Sequence, residues 1–521
     1  MKKDDTNQSQ KLFAKTISAV MLISLVGKAT GLARDILMNA RMGAESFERT
    51  ALDPALTIPT QFLDFAFAAA LSSSFIPVFN DYLMKNGKKE AFSLADSFIT
   101  VVFALSLFVV GLGIVFAAPI IAFFAPGITD IQTITLAVKL LRVMLPSIAL
   151  TAMAFSLTGV LQSLGEFNAP AAMSVLSNVI IITYFGALYD RFGVTGVAVA
   201  FLVGWVTQVC ILVPPLFKRG YVFKPKISKS TFAGLKQIAL LTPPVIISTW
   251  VTPVNVLVNK NAASRLYDGA GMNVLTAANA LYSVITGVFI LSAANVIFPA
   301  LSRQASGGDE HGFCQTLNST LKVCAVVLIP MSVGLAVVAR PAVRLLYEWG
   351  EFSAVSSERT SQSLMFFALG MAGLGFYTIL SRAAYATKDA FTPVIASVIA
   401  IAINAALSFP LTNILQSGGP ALASSVSITA AAVVTLILLK RRHRFFGKDV
   451  LTLFLKTAVS SAATGLAAYC VMKLLPDFDR FFGRVLAAGL PVFAGIAAFL
   501  IVSLLLKTEE LGFLWKKIRK S

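Results

Sequence analysis

Apolar stretches long enough to cross a membrane recur along the whole chain. A helix needs roughly 20 residues to cross a hydrocarbon core of about 30 Å. In lipid every backbone N–H and C=O group must be bonded internally, so stretches of this kind fold as helices. Fourteen spans are predicted, near residues 16–38, 54–80, 93–123, 132–158, 168–188, 194–217, 237–260, 273–300, 318–338, 361–384, 392–413, 419–439, 454–475 and 484–506. Because only 13% of the 521 residues are charged and 57% are hydrophobic, a soluble globular fold is excluded and an all-α polytopic membrane protein is predicted.

The second half of the chain repeats the first. Three prolines of the first half recur in the second, at offsets of 222, 222 and 223 residues. The pairs are Pro77 and Pro299, Pro119 and Pro341, and Pro170 and Pro393. Each half holds six spans, an even number, so both halves enter the membrane in the same orientation and the repeat is parallel. In transporters such halves usually face each other across a central site.

The repeat and the spans divide the chain into four regions. Residues 1–217 are predicted to form an N-terminal six-helix lobe, and residues 237–440 a C-terminal six-helix lobe. Residues 218–236 join them as a basic cytoplasmic loop, and residues 441–521 supply two extra transmembrane helices and a basic tail. The fold class is therefore two parallel six-helix lobes plus a C-terminal helix hairpin. The hairpin has no counterpart in the repeat, so it is either a packing accessory or a surface for a lipidic substrate or partner.

Lysine and arginine collect in alternate loops. Positive residues are retained on the cytoplasmic side, so both termini are expected to be cytoplasmic in a multi-pass protein. The polar stretch after Met1 and the lack of a small-residue cleavage site argue against a cleavable signal peptide. The net charge of +18 flanks the spans rather than forming one basic domain, which favours membrane lipids over nucleic acid as partners. The clusters lie at residues 2–15, 85–89, 218–229, 441–448 and 516–520.

The four cysteines and two histidines lack the spacing of metal ligands or of a disulfide framework. Accordingly, no metal site and no cofactor are expected. No catalytic residue is expected either, which favours a transporter over an enzyme.

The first span carries charged residues. Centring a charge in lipid costs about 2.5–3.5 kcal/mol even on the mildest scale, so such residues must face protein or water. Lys28 and Gly31 share a helix face and Arg34 lies close to it, with Asp35 next in the chain. Glycine permits close approach by another helix or a headgroup, and two cations can hold a diphosphate or carboxylate. The alternative is an ordinary interfacial pair of Arg34 and Asp35, with Lys28 extending to the interface.

The seventh span supplies the facing candidates. Asn255, Asn259 and Lys260 occupy neighbouring turns. Amides and an ammonium would suit an anionic, hydrogen-bonding headgroup. The alternative is an amide cluster that holds helices together.

The junction of the tenth and eleventh spans is predicted to be a cytoplasmic gate or hinge. Its charged members are Arg382, Lys388 and Asp389, to which Asp35 of the first span is added. An ion pair between Arg382 and Asp389 would form or break as the lobes move. A static interfacial pair is the alternative.

Neutral oxygens also suggest a site for sodium or another monovalent cation. Its members would be Asn259, Asn404, Ser408 and Ser425. Because none of them is a carboxylate, the sodium hypothesis is the weaker one.

Several runs, taken together and in order, carry a family resemblance over nearly the whole chain. They are Gly31–Asp35, Phe75–Pro77, Gln162–Pro170 followed by Asn178, Phe298–Arg303, Arg344–Phe352 and Tyr385–Pro393. They resemble the MurJ (MviN) lipid II flippases, members of the multidrug/oligosaccharidyl-lipid/polysaccharide exporter superfamily. The resemblance implies fourteen helices and a central cationic cavity. That cavity would carry a diphosphate-sugar-peptide headgroup across a bacterial inner (cytoplasmic) membrane by alternating access, for peptidoglycan synthesis. It also implies a groove near the last two helices for the polyprenyl tail.

Matched to the family position by position, the basic pair of the first span falls on Lys28 and Arg34. The acid-base pair of the seventh span falls on Asn259 and Lys260. Other positions depart from the family pattern. The resemblance implies a basic residue after Pro59, a cavity arginine in the eighth span, an acid before the second span and an acid in the eleventh span. The residues found there are Phe62-Leu63-Asp64, Ala280, Arg49 and Ser408, respectively.

Three other functions remain open from the sequence. The chain could carry another lipid-linked polysaccharide, or act as a multidrug antiporter of the same fold. It could also be a non-transporting scaffold that recruits cell-wall enzymes through its basic loops. A drug antiporter should have a cavity rich in acids and aromatics, whereas Asp64 is the only acid clearly within a span, against Lys28, Arg34 and Lys260.

Overall fold

The computed structural model describes residues 2–70, 74–249, 251–443, 445, 447–476, 478 and 480–506. Side chains are described outside residues 2–18, 62–70, 244–252, 291–292, 295–296 and 448–449 of these ranges. Asp64 therefore lies outside the described side chains. The described chain is helical with short connections and contains no strand, which confirms the predicted all-α class.

The chain divides into two compact units. The first comprises Met1–Leu257 and Asp268–Ala270, and the second comprises Val258–Tyr267 and Gly271–Ser521. The division falls within the second α-helix after the predicted basic loop. The first α-helix after that loop packs against helices of the first unit and therefore belongs to it.

The helices of the first unit are α1 Lys2–Met42, α2 Phe47–Ala70, α3 Ile76–Lys85, α4 Gly87–Val115, α5 Ala117–Phe124, α6 Ile131–Met144, α7 Ser147–Ser163, α8 Asn168–Ala187, α9 Tyr189–Lys218 and α10 Phe232–Thr249. The helix α11 Val251–Ser264 contains the division. The second unit continues with α12 Gly271–Ser306, α13 Glu310–Tyr347, α14 Ala354–Leu369, α15 Met371–Ala386, α16 Phe391–Leu415, α17 Gly418–Arg442, α18 Lys448–Leu474 and α19 Phe481–Leu505.

Each predicted span lies on one of these helices or on two consecutive ones. Within the described residues, 10 helical segments are long and apolar enough to cross a membrane, or 11 if α14 and α15 count as one bent span. These numbers are consistent with the prediction of about fourteen. The remaining predicted spans fall on α1, on α2 with α3, and on α10 with α11.

The two units repeat the same packing order. In the first unit α2 packs against α6 and α7, α7 against α9, and α8 against α9. In the second unit α12 packs against α14 and α15, α15 against α17, and α16 against α17. The duplication in sequence is therefore also a duplication in structure. Outside the repeat, α18 and α19 pack against each other and against α13, with Val326, Leu453 and Phe499 in contact at that junction.

Helices α14 and α15 meet at a bend of 41° at Gly370. A Cβ atom at Gly370 would lie 2.7 Å from the Ser425 Cα atom, so only glycine lets α17 approach the bend so closely. The Ser425 hydroxyl donates to the carbonyl oxygen of Phe366 at 2.6 Å. This hydrogen bond supplies a donor to a carbonyl group near the end of α14, where the last carbonyl groups of a helix have no partner within the helix.

The basic loop at 218–236 is fastened to the first unit. The buried Tyr221 hydroxyl donates to the Asp96 carboxylate on α4 at 2.8 Å, and the backbone N–H of Lys224 donates to it at 3.1 Å. Ser228 and Thr231 bond to the Ser97 hydroxyl in the same helix. The loop is therefore held along α4 by side-chain hydrogen bonds, while its lysines stay at the surface.

Candidate functional site

In the first unit, the Arg34 guanidinium is held by groups from three helices. Its Nε and Nη2 atoms donate to the Asp35 carboxylate at 2.9 and 2.7 Å, and its Nη1 atom donates to Asn178 Oδ1 on α8 at 3.1 Å. The Phe201 ring of α9 lies 5.6 Å from the guanidinium carbon. This geometry corresponds to the ordinary ion pair considered from the sequence, with the addition of Asn178. A phosphate that binds Arg34 would have to share it with Asp35.

Asn178 fastens α8 to α1. Its amide nitrogen donates to the Gly27 carbonyl at 3.2 Å and to the Thr30 hydroxyl at 3.3 Å. A Cβ atom at Gly31 would lie 3.4 Å from the same amide nitrogen, so the close approach predicted at Gly31 is made by α8. The sequence carries a signal for Asn178, an amide in an apolar span, but only the family resemblance singles this residue out.

Lys28 differs from Arg34 in its surroundings. Its side chain is exposed, and it forms no hydrogen bond or ion pair with any residue whose side chain the structure describes. An ammonium on a membrane-spanning helix must find water or an anion. Of the two cations of α1 singled out from the sequence, Lys28 is the exposed one, and its contact with a headgroup stays a prediction.

In the second unit, Lys260 is buried with 6% of its surface exposed. Its ammonium donates to the Met272 carbonyl at 3.1 Å and to the Thr276 hydroxyl, both on α12. The described contacts therefore give Lys260 a packing role between α11 and α12, so its predicted contact with a headgroup stays a prediction.

A neutral hydrogen-bond cluster joins α11, α16 and α17. Asn259 Oδ1 accepts hydrogen bonds from Asn404 Nδ2 and the Ser408 hydroxyl, each at 3.0 Å. Asn259 Nδ2 donates to the Ser424 hydroxyl at 2.7 Å. This is the arrangement of an amide cluster that holds helices together, one of the two alternatives open from the sequence. The amide cluster is defined here as Asn259, Asn404, Ser408 and Ser424.

The predicted cation site is only partly reproduced. Asn259, Asn404 and Ser408 meet as predicted, but Ser425 points to the Phe366 carbonyl, and its neighbour Ser424 completes the group. Helical periodicity places adjacent residues about 100° apart, which is why a shift of one position changes the partner. A cation would have to displace the donors that Asn259 Oδ1 already accepts. In the described part of the chain, no group of three or more His, Cys, Asp or Glu residues could hold a metal ion.

Asn255 lies one turn before Asn259 on α11. Its Oδ1 atom is buried and accepts no hydrogen bond from the residues that the structure describes. A buried acceptor without a donor costs about 1–3 kcal/mol, so this position favours a ligand hydroxyl or amide.

The predicted ion pair between Arg382 and Asp389 is wrong. The buried Asp389 carboxylate pairs with Arg442 at the end of α17, at 2.7 Å. It also accepts the backbone N–H groups of Phe391 and Thr392, each at 3.1 Å, because it precedes the first turn of α16. The Arg382 guanidinium instead lies 5.4 Å from the centre of the Phe298 ring.

The charge state of Asp389 follows from these contacts. Burial acts to raise the pKa of its carboxyl, but the hydrogen bonds from Thr392 and Phe391 and the charge of Arg442 together lower it below the ordinary value. Lys388, also assigned to the gate, has a φ of 62° and forms the turn that leads into α16. Asp35 of the first unit is paired with Arg34, and within the second unit Asp389 is paired with Arg442 rather than with Arg382.

The ion pair of Asp389 has a counterpart in the first unit that the sequence analysis missed. Glu166 pairs with Arg219 at 3.1 Å, and each of these residues precedes its equivalent, Asp389 or Arg442, by 223 residues. The residue before each acid also has a positive φ, 77° at Gly165 and 62° at Lys388. In each unit, the ion pair joins the connection between the fourth and fifth spans of that half to the end of its sixth span. The offset of the prolines could have revealed it.

Comparison with known proteins agrees with this description. The family model described as "Lipid II flippase MurJ" matches residues 38–483. A relative from Thermotoga maritima named "Probable lipid II flippase MurJ" is 28% identical, over 95% of this chain and 97% of its own length. A relative from Burkholderia cenocepacia named "Lipid II flippase MurJ" is 26% identical, over 92% and 95%.

Solved structures give the same result. A lipid II flippase MurJ in an inward closed conformation superposes with a TM-score of 0.80 at 26% identity, covering 94% of this chain and 99% of its own. An inward-facing multidrug resistance transporter of the MATE family superposes with a TM-score of 0.68 at 16% identity, covering 84% and 98%, which supports the shared fold alone. Since the family model covers most of the length and follows the repeated helices described above, this chain belongs to the lipid II flippase MurJ family.

Proposed function

We propose that this chain translocates lipid II, the undecaprenyl-diphosphate-linked peptidoglycan precursor, from the cytoplasmic to the outer leaflet of a bacterial inner membrane. The observation that carries the proposal is the match to the flippase family along residues 38–483. The clusters of lysine and arginine further support cytoplasmic termini.

Headgroup binding needs cations that are free to meet a diphosphate. Lys28 meets this condition, because its ammonium is exposed and has no partner among the described side chains. A charge-assisted hydrogen bond to phosphate is roughly twice as strong as a neutral one. Arg34 would add a second contact once its bond to Asp35 loosens or is shared. The Asn255 Oδ1 atom, which accepts no hydrogen bond from the described residues, would accept a donor from the sugar or peptide part of the headgroup.

Translocation by this route requires no covalent chemistry. In alternating access, a ligand bound at the same residues is exposed first to one side and then to the other. The two units, each with its own repeated packing, are the bodies that would move. The amide cluster is closed by its own hydrogen bonds and contains no carboxylate, which favours a membrane potential over a sodium gradient as the driving force.

The alternatives from the sequence are less well supported. The multidrug transporters share the fold at low identity, and their likeness carries no argument about substrate. The charged candidates on α1 and α11 are Lys28, Arg34 and Lys260, a set suited to an anion rather than to the cationic compounds that acids would bind.

The test is lipid II translocation in cells depleted of their own flippase, read as headgroup that an enzyme added outside can reach. We expect the parent chain and Lys28→Arg to restore translocation, and Lys28→Ala to lose most of it at equal membrane abundance. Arg191→Ala is the matched control, because Arg191 is an exposed cation in the first turn of α9, before the sixth span begins. Failure of an abundant parent chain to restore any translocation would refute the proposed substrate.

A further inference from the structure

A cavity of about 140 Å³ lies among α12, α13 and α15 of the second unit. Its floor is formed by buried side chains, and its mouth by side chains that are at least partly exposed. The floor includes Cys324, Leu328 and Ile379, and the mouth includes Phe289, Ala293 and Val327. We refer to the cavity with this floor and mouth as the apolar cleft.

Small residues where the three helices meet leave this space open. Gly375 of α15 has no side chain, and a Cβ atom there would collide with the Leu328 Cδ1 atom, so Leu328 lies close against the backbone of α15. Ala293 of α12 and Cys324 of α13 fill less volume than a leucine or phenylalanine would. The interior of a protein is normally close-packed, and the lining of a void lacks van der Waals contacts on one side. The apolar cleft therefore gains contacts from any group that fits it.

The chemistry of the lining favours a hydrocarbon occupant over water. Every described residue of the lining is apolar except Cys324, whose thiol is a weak donor and a weak acceptor. A buried water needs several polar partners, whereas an apolar cavity of about 150 Å³ stays dry and binds a molecule such as benzene. The apolar cleft is of similar size, so it has room for a few carbon atoms of a hydrocarbon group.

The mouth of the apolar cleft lies at the depth of the hydrocarbon core. Phe289 of α12 and Val327 of α13 each lie halfway along a helix, of 36 and 38 residues respectively. Segments of both helices are long and apolar enough to cross a membrane. A hydrocarbon core of about 30 Å is crossed by roughly 20 residues, so the middle of each helix lies inside it. The ends of lipid acyl chains gather near the middle of a bilayer, and they are therefore the hydrocarbon groups that meet this mouth.

We infer that the apolar cleft binds the end of one acyl chain of a membrane phospholipid. The chain enters between Phe289 and Val327, and its last carbon atoms contact the floor. Because the chain leaves one apolar medium for another, the gain comes from van der Waals contacts that the empty cavity lacks rather than from the hydrophobic effect. The site shares no residue with the headgroup candidates of α1 and α11, and it does not depend on the proposed function.

The test uses the purified full-length chain in vesicles of phosphatidylethanolamine and phosphatidylglycerol. A small fraction of the phosphatidylethanolamine carries a photoactivated diazirine at the end of one acyl chain, and mass spectrometry locates its adducts after illumination. We expect adducts on Cys324 or Ile379, although these side chains are only 6% and 0% exposed. Leu321, which is 1% exposed on the same helix as Cys324 and lies outside the described lining, should remain unlabelled. A diazirine placed beside the glycerol group should not label the floor.

Two variants block the mouth without touching the floor. Ala293→Phe and Val327→Phe each place a ring across it from a different helix, and both should lose most of the adducts on the floor. Ala402→Phe makes the same substitution as Ala293→Phe at an exposed position of α16, so it is the matched control and should leave the adducts unchanged. A thermal unfolding curve checks that each variant is folded.

Unlabelled undecaprenyl phosphate separates a phospholipid chain from a polyprenyl chain. Floor adducts that persist when it is added at the concentration of the probe support the phospholipid assignment, whereas loss of most adducts would assign the cleft to a polyprenyl chain and overturn the inference. The inference is also overturned if the probe labels the exposed Phe289 of the parent but leaves Cys324, Leu328 and Ile379 unlabelled. Floor adducts that survive in both folded blocking variants would overturn it as well.

Discussion

At the scale of single residues, polar groups in apolar helices are the most informative part of this chain. The sequence identified Lys28, Arg34, Asn259 and Lys260 because charge and amides in spans need partners. It could not tell which of them were already satisfied. The structure pairs Arg34 with Asp35 and Lys260 with α12, and leaves Lys28 exposed. Partner choice depends on helix rotation, which a list of residues does not contain.

Asn178→Ala is expected to destabilise the protein. The amide bonds to Gly27, Thr30 and Arg34, and its loss removes the three hydrogen bonds that join α8 to α1. The cost should be about 1–3 kcal/mol, seen as a lower midpoint of thermal unfolding for the purified chain. Asn168→Ala is the control, since Asn168 is exposed at the start of the same helix. Equal midpoints for the two variants would contradict this role for Asn178.

Asp389 should make stability depend on pH in a defined range. Its carboxyl has a pKa below the ordinary value in the folded protein, so its contribution is complete above an ordinary pKa of about 3.9 and is lost as pH falls through the lowered pKa. We expect Asp389→Asn to be less stable than the parent by about 1–2 kcal/mol from pH 7 to about pH 5. The difference should shrink only below about pH 4. Unfolding midpoints of both chains across this range give the answer, and a difference that already vanishes between pH 7 and pH 5 would argue against the ionised Asp389.

At the scale of elements, the repeated prolines predicted a repeated structure, and the two units show the same order of helix packing. The sequence also placed the spans, because hydrophobic length fixes where a helix can cross. It did not predict the bend at Gly370, since this bend depends on how closely α17 approaches. The gate ion pair was assigned from nearness in sequence, whereas Asp389 reaches Arg442 through the fold.

The duplicated ion pairs are expected to stay closed during transport. Each ion pair joins two segments of one unit, and the equivalent pair joins the corresponding segments of the other unit. If each unit moves as a rigid body, an ion pair within a unit does not open during the movement. A Glu166→Cys and Arg219→Cys chain, with its four native cysteines replaced, should therefore keep translocating lipid II after the new pair is cross-linked. The same chain under reducing conditions is the control. Reversible loss of translocation on cross-linking would mean that the segments joined by Glu166 and Arg219 separate during transport.

At the scale of the whole molecule, composition indicated a polytopic membrane protein, and ordered motifs indicated the family that the family model confirms. The driving force does not follow from the composition or from the motifs. Each net negative charge on a headgroup gains about 2.3 kcal/mol when it moves outward through 100 mV, inside negative. The neutral amide cluster offers a sodium ion no carboxylate.

Translocation should accordingly follow the membrane potential. Collapsing the potential in cells with the pH gradient held constant is expected to stop most lipid II translocation. Replacing external sodium with potassium at constant potential should change it little. The headgroup exposed to an added enzyme measures both. Unchanged translocation without a potential would rule out this driving force.

The measurement that tests the central claim most directly is lipid II movement in vesicles that contain only the purified chain. Lipid II is placed in one leaflet of the vesicles, and a membrane potential that drives anions toward the other leaflet is applied. The amount of headgroup that reaches the other leaflet is then measured over time. Vesicles with Lys28→Ala and vesicles without protein serve as references. The account predicts rapid movement with the parent chain and movement near the protein-free rate with Lys28→Ala. The account would be contradicted if a folded, correctly inserted parent chain moved lipid II no faster than it moves in vesicles without protein.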